Sequence, residues 1–221
     1  MNATNTLMGE HRVIEQVLAV LEEIAACAER DGVIDTAAAR DALDFFRTFA
    51  DGCHHAKEER HLFPLLESRG LPREGGPTGV MLREHDLGRE LLGRMAAALD
   101  GKSDENYVVG WQLSEAPAGE AWVAGFDVPA RAYVRLMRDH IRKEDERLFR
   151  MADRLLGADD DDALVRAFDA AEHADTGTGT HEHYLELAGR LSDQFGVPRS
   201  NTVGMCGCSR HGSATGTCGA T

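Results

Sequence analysis

Two stretches of this chain read alike. His54-His55-Ala56-Lys57-Glu58-Glu59-Arg60-His61-Leu62-Phe63 returns as His140-Ile141-Arg142-Lys143-Glu144-Asp145-Glu146-Arg147-Leu148-Phe149, and both have the form HxxKExxxLF. On a helix, residues four apart lie one above the other, so each His and its Glu share a face with the following Leu. That face points toward apolar surroundings. An imidazole and a carboxylate buried there cost several kcal/mol unless a partner such as a metal takes up both groups. Two such copies suit a pair of metal ions.

A second duplication supports the first. Glu10-His11 and Glu84-His85 each open an apolar stripe that reaches Leu18 and Leu92. A lone histidine in such a stripe is ordinarily a core or boundary residue, and His11 gains weight from its match to His85. Four helices, each with one inward His and two with a Glu as well, would converge on His11, His54, Glu58, His85, His140 and Glu144 as metal ligands. Mixed imidazole and carboxylate donors suit iron, manganese and zinc about equally, and carboxylates able to bridge two cations favour a redox pair. If Glu58 and Glu144 bridge, one ion takes His11 and His54 and the other His85 and His140. No separate catalytic residue emerges.

The H-HxxxE-H-HxxxE order, with Leu-Phe after each carboxylate, resembles the hemerythrin-like family of non-haem di-iron proteins over roughly residues 7–156. The resemblance implies an all-α, antiparallel four-helix bundle holding two iron ions per chain. It also implies small ligands: oxygen, peroxide or nitric oxide. Classical members draw two histidines one turn apart from the third helix, and neither Met81 nor Arg89 can be the second. The remaining metal positions then fall to water, oxo bridges or an unforeseen residue. That departure argues against simple reversible oxygen carriage and for peroxide or nitric oxide chemistry.

Competing assignments within the motif are weighed by the repeat. His55 and Glu59 also stand four apart, but their counterparts are Ile141 and Asp145, and Ile binds no metal. His55 and Glu59 are therefore expected to be dispensable for metal loading, and Lys57 and Lys143 to have no direct role. Asp145 competes with Glu144, and the match to Glu58 favours Glu144. A small ligand is expected to enter beside Gly88, with Arg89 near a bound anion. A ferritin-like site would need two ExxH motifs; Glu58 to His61 supplies one, and Arg147 spoils the other. No HExxH or GxSxG occurs.

Helix boundaries follow from local signals. A first helix is expected with Thr4 or Asn5 as its cap and an end at Asp31-Gly32. A second runs from Asp35-Thr36 toward Gly70, kinked by Pro64. A third covers about 78–99. Residues 101–127 read as a long connection, with Asp127 and Pro129 opening a fourth helix. Two more short helices are expected at 163–173 and 180–195, with His181 and His183 in an exposed cap. The domain plan is a bundle at 1–156, a helical extension at 157–196 and a flexible tail at 197–221. In that tail Cys206, Cys208, His211 and Cys218 are ligand types that zinc accepts, in a spacing unlike a zinc knuckle.

The 221 residues, 43% of them hydrophobic, suffice for one such domain. A net charge of −14 opposes nucleic acid and anionic lipid as partners. With no spanning segment, no signal peptide and an odd five cysteines, a cytoplasmic protein is expected. The runner-up to oxidant chemistry is a non-enzymatic iron-holding or gas-sensing module.

Overall fold

The computed structural model describes residues 2–102, 118–172 and 179–200, with side chains from 123 onward in the fourth helix. Six helices form among them and no strand. α1 is Ala3–Asp31. α2 runs continuously over 36–68, and α3 is Pro77–Leu99. α4 runs over 118–155, followed by α5, Ala158–Ala171, and α6, Thr180–Phe195.

The helix ends follow local chemistry with two corrections. Asn2, not Thr4 or Asn5, caps α1, its side-chain oxygen accepting from the Asn5 N–H, and Gly32 closes the helix in the left-handed conformation. Gly76 admits no side chain, since a Cβ there would lie 1.6 Å from the Pro72 carbonyl oxygen. The second correction concerns α4. Asp127 is no cap: the helix is already formed at Ala118 and carries Pro129 inside it. Val123, Phe126, Ala130 and Tyr133 are all buried at helical spacing, and their packing outweighs the hydrogen bond that Pro129 forgoes. The Asp127 carboxylate instead accepts from Arg131, 2.7 Å away.

Cross-helix contacts give the topology directly. Thr4 meets Asp153, His11 meets Asp145, Glu22 meets Arg138 and Glu29 meets Arg131, so α1 and α4 are antiparallel. Arg40 reaches the end of α3 at Leu99 and Asp100, whereas Glu59 reaches His85, so α2 and α3 are antiparallel too. α3 and α4 pack extensively, with Gly88 against Tyr133 and Met137. The four-helix, all-α bundle expected from the sequence is thus present.

Both extension helices add to it. α6 sinks Tyr184, Leu187, Ala188 and Leu191 into the core beside Val17 and Phe45, and α5 contributes Leu164 and Phe168. An α5 carboxylate, Asp161, accepts from the otherwise unpaired Ala3 N–H at 2.8 Å. No helix of the described residues is long and apolar enough to cross a membrane. The cysteine-bearing tail, with Cys206, Cys208, His211 and Cys218, lies outside the described residues, as does most of the expected connection at 101–127.

The apolar interior falls into two bodies. The larger unites Val17, Leu21, Phe46, Phe49, Leu92, Met95, Phe126 and Tyr133. The smaller unites Leu7, Leu62, Phe63, Leu66, Met81, Leu148, Phe149 and Phe168. Between them lies a layer of buried polar residues.

Candidate metal centre

That layer contains His11, His54, Glu58, His85, His140 and Glu144, each no more than 1% exposed. One residue comes from α1, two from α2, one from α3 and two from α4. In α2 and α4 the helix widens where the carboxylates stand: Phe63 donates its N–H to the Glu58 carbonyl five residues back, and Phe149 does the same to Glu144. Such π-type turns recur at functional sites. Pro64 follows directly in the first turn after the widening, where a missing N–H costs little.

The six residues form two groups of four. His11, His54, Glu58 and Glu144 can each place a donor atom within 4.8 Å of the others, and so can His85, His140, Glu58 and Glu144. Both carboxylates belong to both groups. Glu58 presents Oε1 to His54 Nε2 at 3.7 Å and Oε2 to His85 Nε2 at 3.5 Å. Glu144 Oε2 lies 3.3 Å from His11 Nε2 and 3.2 Å from His140 Nε2.

Every one of these histidines has its other nitrogen occupied. Nδ1 of His11 donates to Asp145 at 2.7 Å, His54 to Glu10 at 2.9 Å, His85 to Glu59 at 2.7 Å and His140 to Glu84 at 3.0 Å. A proton fixed on Nδ1 leaves the Nε2 lone pair facing the centre, the usual arrangement behind a metal-binding imidazole. Lys57 Nζ in turn holds Glu10, and Lys143 holds Glu84. Arg12 holds Asp145, and Arg89 holds Glu59. Finally, Phe149 stacks on His11 at 5.5 Å and Phe63 on His85 at 5.9 Å.

The duplication is therefore an exchange around the ring of helices. The Glu of each Glu-His pair serves the His of the next helix, and the acid after each HxxKE serves the His of the helix beyond. Asp145 is thereby placed outside the centre and Glu144 inside it. Several expectations need correction. Lys57, 2% exposed, bonds Glu10, and Glu59 accepts from His85 Nδ1, so both stand behind the centre rather than in it. Arg89 is engaged by Asp51, Glu59 and Asp86 rather than held ready for an anion. Gly88 faces Met137 and Tyr133, the side chains that a Cβ there would meet at 3.4 and 3.5 Å. His181 is not exposed as expected: it is half-buried, with Nδ1 3.2 Å from Glu172. The paired acids Glu59 and Asp145 were the readable signal for the outer partners, since they occupy one repeat position.

Fit to a cation follows from unmet bonding. Both oxygens of Glu58 and of Glu144, with Nε2 of His11 and His54, are buried without a hydrogen-bond partner among the described residues. Nε2 of His85 and Nε2 of His140 lie 3.1 Å apart. With Nδ1 of both rings donating outward, the metal-free pair is joined by a proton on His140 Nε2 donated to His85 Nε2, a proton that a cation would replace.

The titration directions agree with protons standing where a cation would. Burial and the neighbouring Glu144 push Glu58 well above the ordinary carboxyl range. Burial opposes ionisation of Glu144 too, but His140 and His11 outweigh it and hold Glu144 low. Burial and His11 lower His54 to about 4, while Glu144 and Glu84 overcome burial and raise His140 to about 9. Without a cation, the carboxylates draw positive charge from protons.

Comparison with known proteins points the same way. The hemerythrin HHE cation-binding domain matches residues 2–152. An uncharacterized protein of Mycobacterium tuberculosis and one of Mycobacterium bovis are each 23% identical over 205 residues, spanning 89% of this chain and 71% of the relative. No solved structure gives a significant match.

Proposed function

The chain belongs to the hemerythrin HHE cation-binding domain family, and from that premise we propose that it holds two iron ions and reacts with oxygen or peroxide. His11, His54, Glu58, His85, His140 and Glu144 are the proposed ligands. Residues 1–156 form the bundle domain, 157–196 an extension and 197–221 a tail. The observation that carries the reading is a pair of donor groups sharing two buried carboxylates whose oxygens bond to nothing else. Bridging carboxylates on two adjacent cations suit two-electron chemistry, which iron supplies when bound.

The chain's own residues do the rest. Asp145, Glu10, Glu59 and Glu84 hold the four Nδ1 protons, so each imidazole offers one nitrogen in one orientation. Phe63 and Phe149 cover the Glu-His histidines and exclude water from that side. A dry surround strengthens the attraction between the ligands and a cation.

The test is iron stoichiometry and turnover on one preparation. Aerobically purified protein should hold about two irons per chain, and Ala in place of His54, Glu58, His140 or Glu144 should each lower that content. Sustained oxygen evolution from peroxide, abolished in His85→Ala, supports oxidant chemistry. A single stoichiometric spectral change without turnover leaves an iron-holding or gas-sensing module. Full iron loading in all four variants would refute the ligand set.

A further inference from the structure

The two halves of the centre match role for role, Asp145 answering to Glu59, with one exception. His55 has Ile141 as its counterpart, and it does not point away. It is 5% exposed, its ring stacks on His85 with centroids 3.8 Å apart, and it meets His140 edge-on at 5.6 Å. Ring nitrogens of His55, His85 and His140 can lie within 4.8 Å of one another.

Two further observations separate His55 from a packing histidine. Its Nδ1 faces the Asp51 carboxylate at 3.3 Å, so it shares the carboxylate support of the four proposed ligand histidines and has Nε2 left to bind. The backbone also differs from the second half at this place. Phe46–His55 is a ten-residue π-type stretch, whereas the helix leading to His140 is α-helical up to Lys143. Consecutive side chains on an α-helix diverge by about 100°. The widened turn brings His54 and His55 both to bear on the buried layer, and a π-type distortion of this kind is usually retained for function.

We infer that His55 is a seventh metal ligand, binding through Nε2 on the His85–His140 side of the centre. The inference rests on the di-iron reading above. It supplies from α2 the histidine that Met81 and Arg89 cannot supply from α3. It also makes the two ions unequal, one facing two imidazoles and the other three. Asp51 is its positioning residue, held in turn by Arg89.

The test uses the full chain loaded with ferrous iron and then oxidised. Wild type should show two distinct iron environments by Mössbauer spectroscopy. His55→Ala should give nearly equivalent irons and release one of them to a chelator at least about tenfold faster, since even outer partners of a ligand are worth 10–100-fold in affinity. Added imidazole should reverse both changes, which a purely structural role would not allow. Asp51→Asn should weaken the same ion to a lesser degree. A folded His55→Ala protein with wild-type spectra and wild-type release would overturn the inference. Should that variant fail to fold, a crystal structure of the iron-loaded wild type decides. Nε2 of His55 within bonding distance of an ion upholds the inference, and a ring merely stacked on His85 overturns it. A wild type that binds no pair of irons would instead remove the di-iron reading itself.

Discussion

Lys57→Met, set beside Lys143→Met, tests whether the repeated lysines do unequal work in equivalent places. Lys57 Nζ and its partner Glu10 are 2% and 7% exposed, with Glu172 a second partner at 3.2 Å. Lys143 and Glu84 are 32% and 18% exposed. Removing one partner of a buried pair leaves an uncompensated charge and costs about 3–5 kcal/mol. An accessible pair contributes about 1 kcal/mol or less. For a chain of this size each kcal/mol moves the melting temperature by about 2–4 °C. Lys57→Met should therefore melt roughly 6–20 °C lower, and Lys143→Met at most about 4 °C lower. The assay is thermal unfolding of the metal-free protein at neutral pH, because a bound cation adds its own stabilisation. The pH dependence fixes the cause. Burial opposes ionisation of Glu10, but Lys57 and His54 bring its pKa from 4.5 down to about 2. A depressed carboxyl contributes stability above its unfolded pKa and loses it as pH falls through the folded value. The penalty of Lys57→Met should shrink between pH 4.5 and 2 and should largely vanish in Lys57→Met with Glu10→Gln. Equal melting shifts in the two lysine variants, or a penalty indifferent to pH, would refute the reasoning.

Other outcomes are accessible to routine measurement. Glu59→Gln and Asp145→Asn should each lower iron affinity by roughly 10–100-fold while leaving the fold intact, as read by chelator competition and circular dichroism. Phe149→Ala should cost about 3–5 kcal/mol in urea unfolding, since the ring is 1% exposed and covers His11. A chain ended after Ser200 should keep its fold and iron content; loss of a stoichiometric zinc ion would instead assign a role to Cys206, Cys208, His211 and Cys218.

Much of the bundle was legible because its information is periodic and doubled. The HxxKExxxLF repeat placed α2, α4 and the inward carboxylates, and the Glu-His pairs placed α1 and α3. What escaped was information that no stripe carries. Helix widening at Phe46–His55 leaves no mark in the periodic pattern, and His55 was set aside because its counterpart in the repeat is Ile141. The start of α4 escaped for a related reason. Asp127 and Pro129 carry the local signature of a helix start, and burial of Val123 and Phe126 overrode it. The outer carboxylates were visible as letters, yet their partners lie on other helices, and a one-dimensional repeat does not say which helix sits beside which.

The division of the interior into two apolar bodies by one polar layer bears on how a cation reaches the centre. The four helices run through both bodies, but across the layer itself cohesion depends on Glu58, Glu144 and the imidazoles, several of whose buried polar atoms have no hydrogen-bond partner among the described residues until a cation joins them. In the metal-free chain each body should therefore breathe as its own cooperative unit, and amide exchange should resolve two protection levels that merge once iron is bound. The smaller body, built from Leu7, Leu62, Met81, Leu148 and their neighbours, has less apolar surface to hold it shut. Its opening would uncover the donors from the end of the bundle where α5 meets the start of α1, so an incoming cation would pass through a transiently unzipped helix end and close it behind itself.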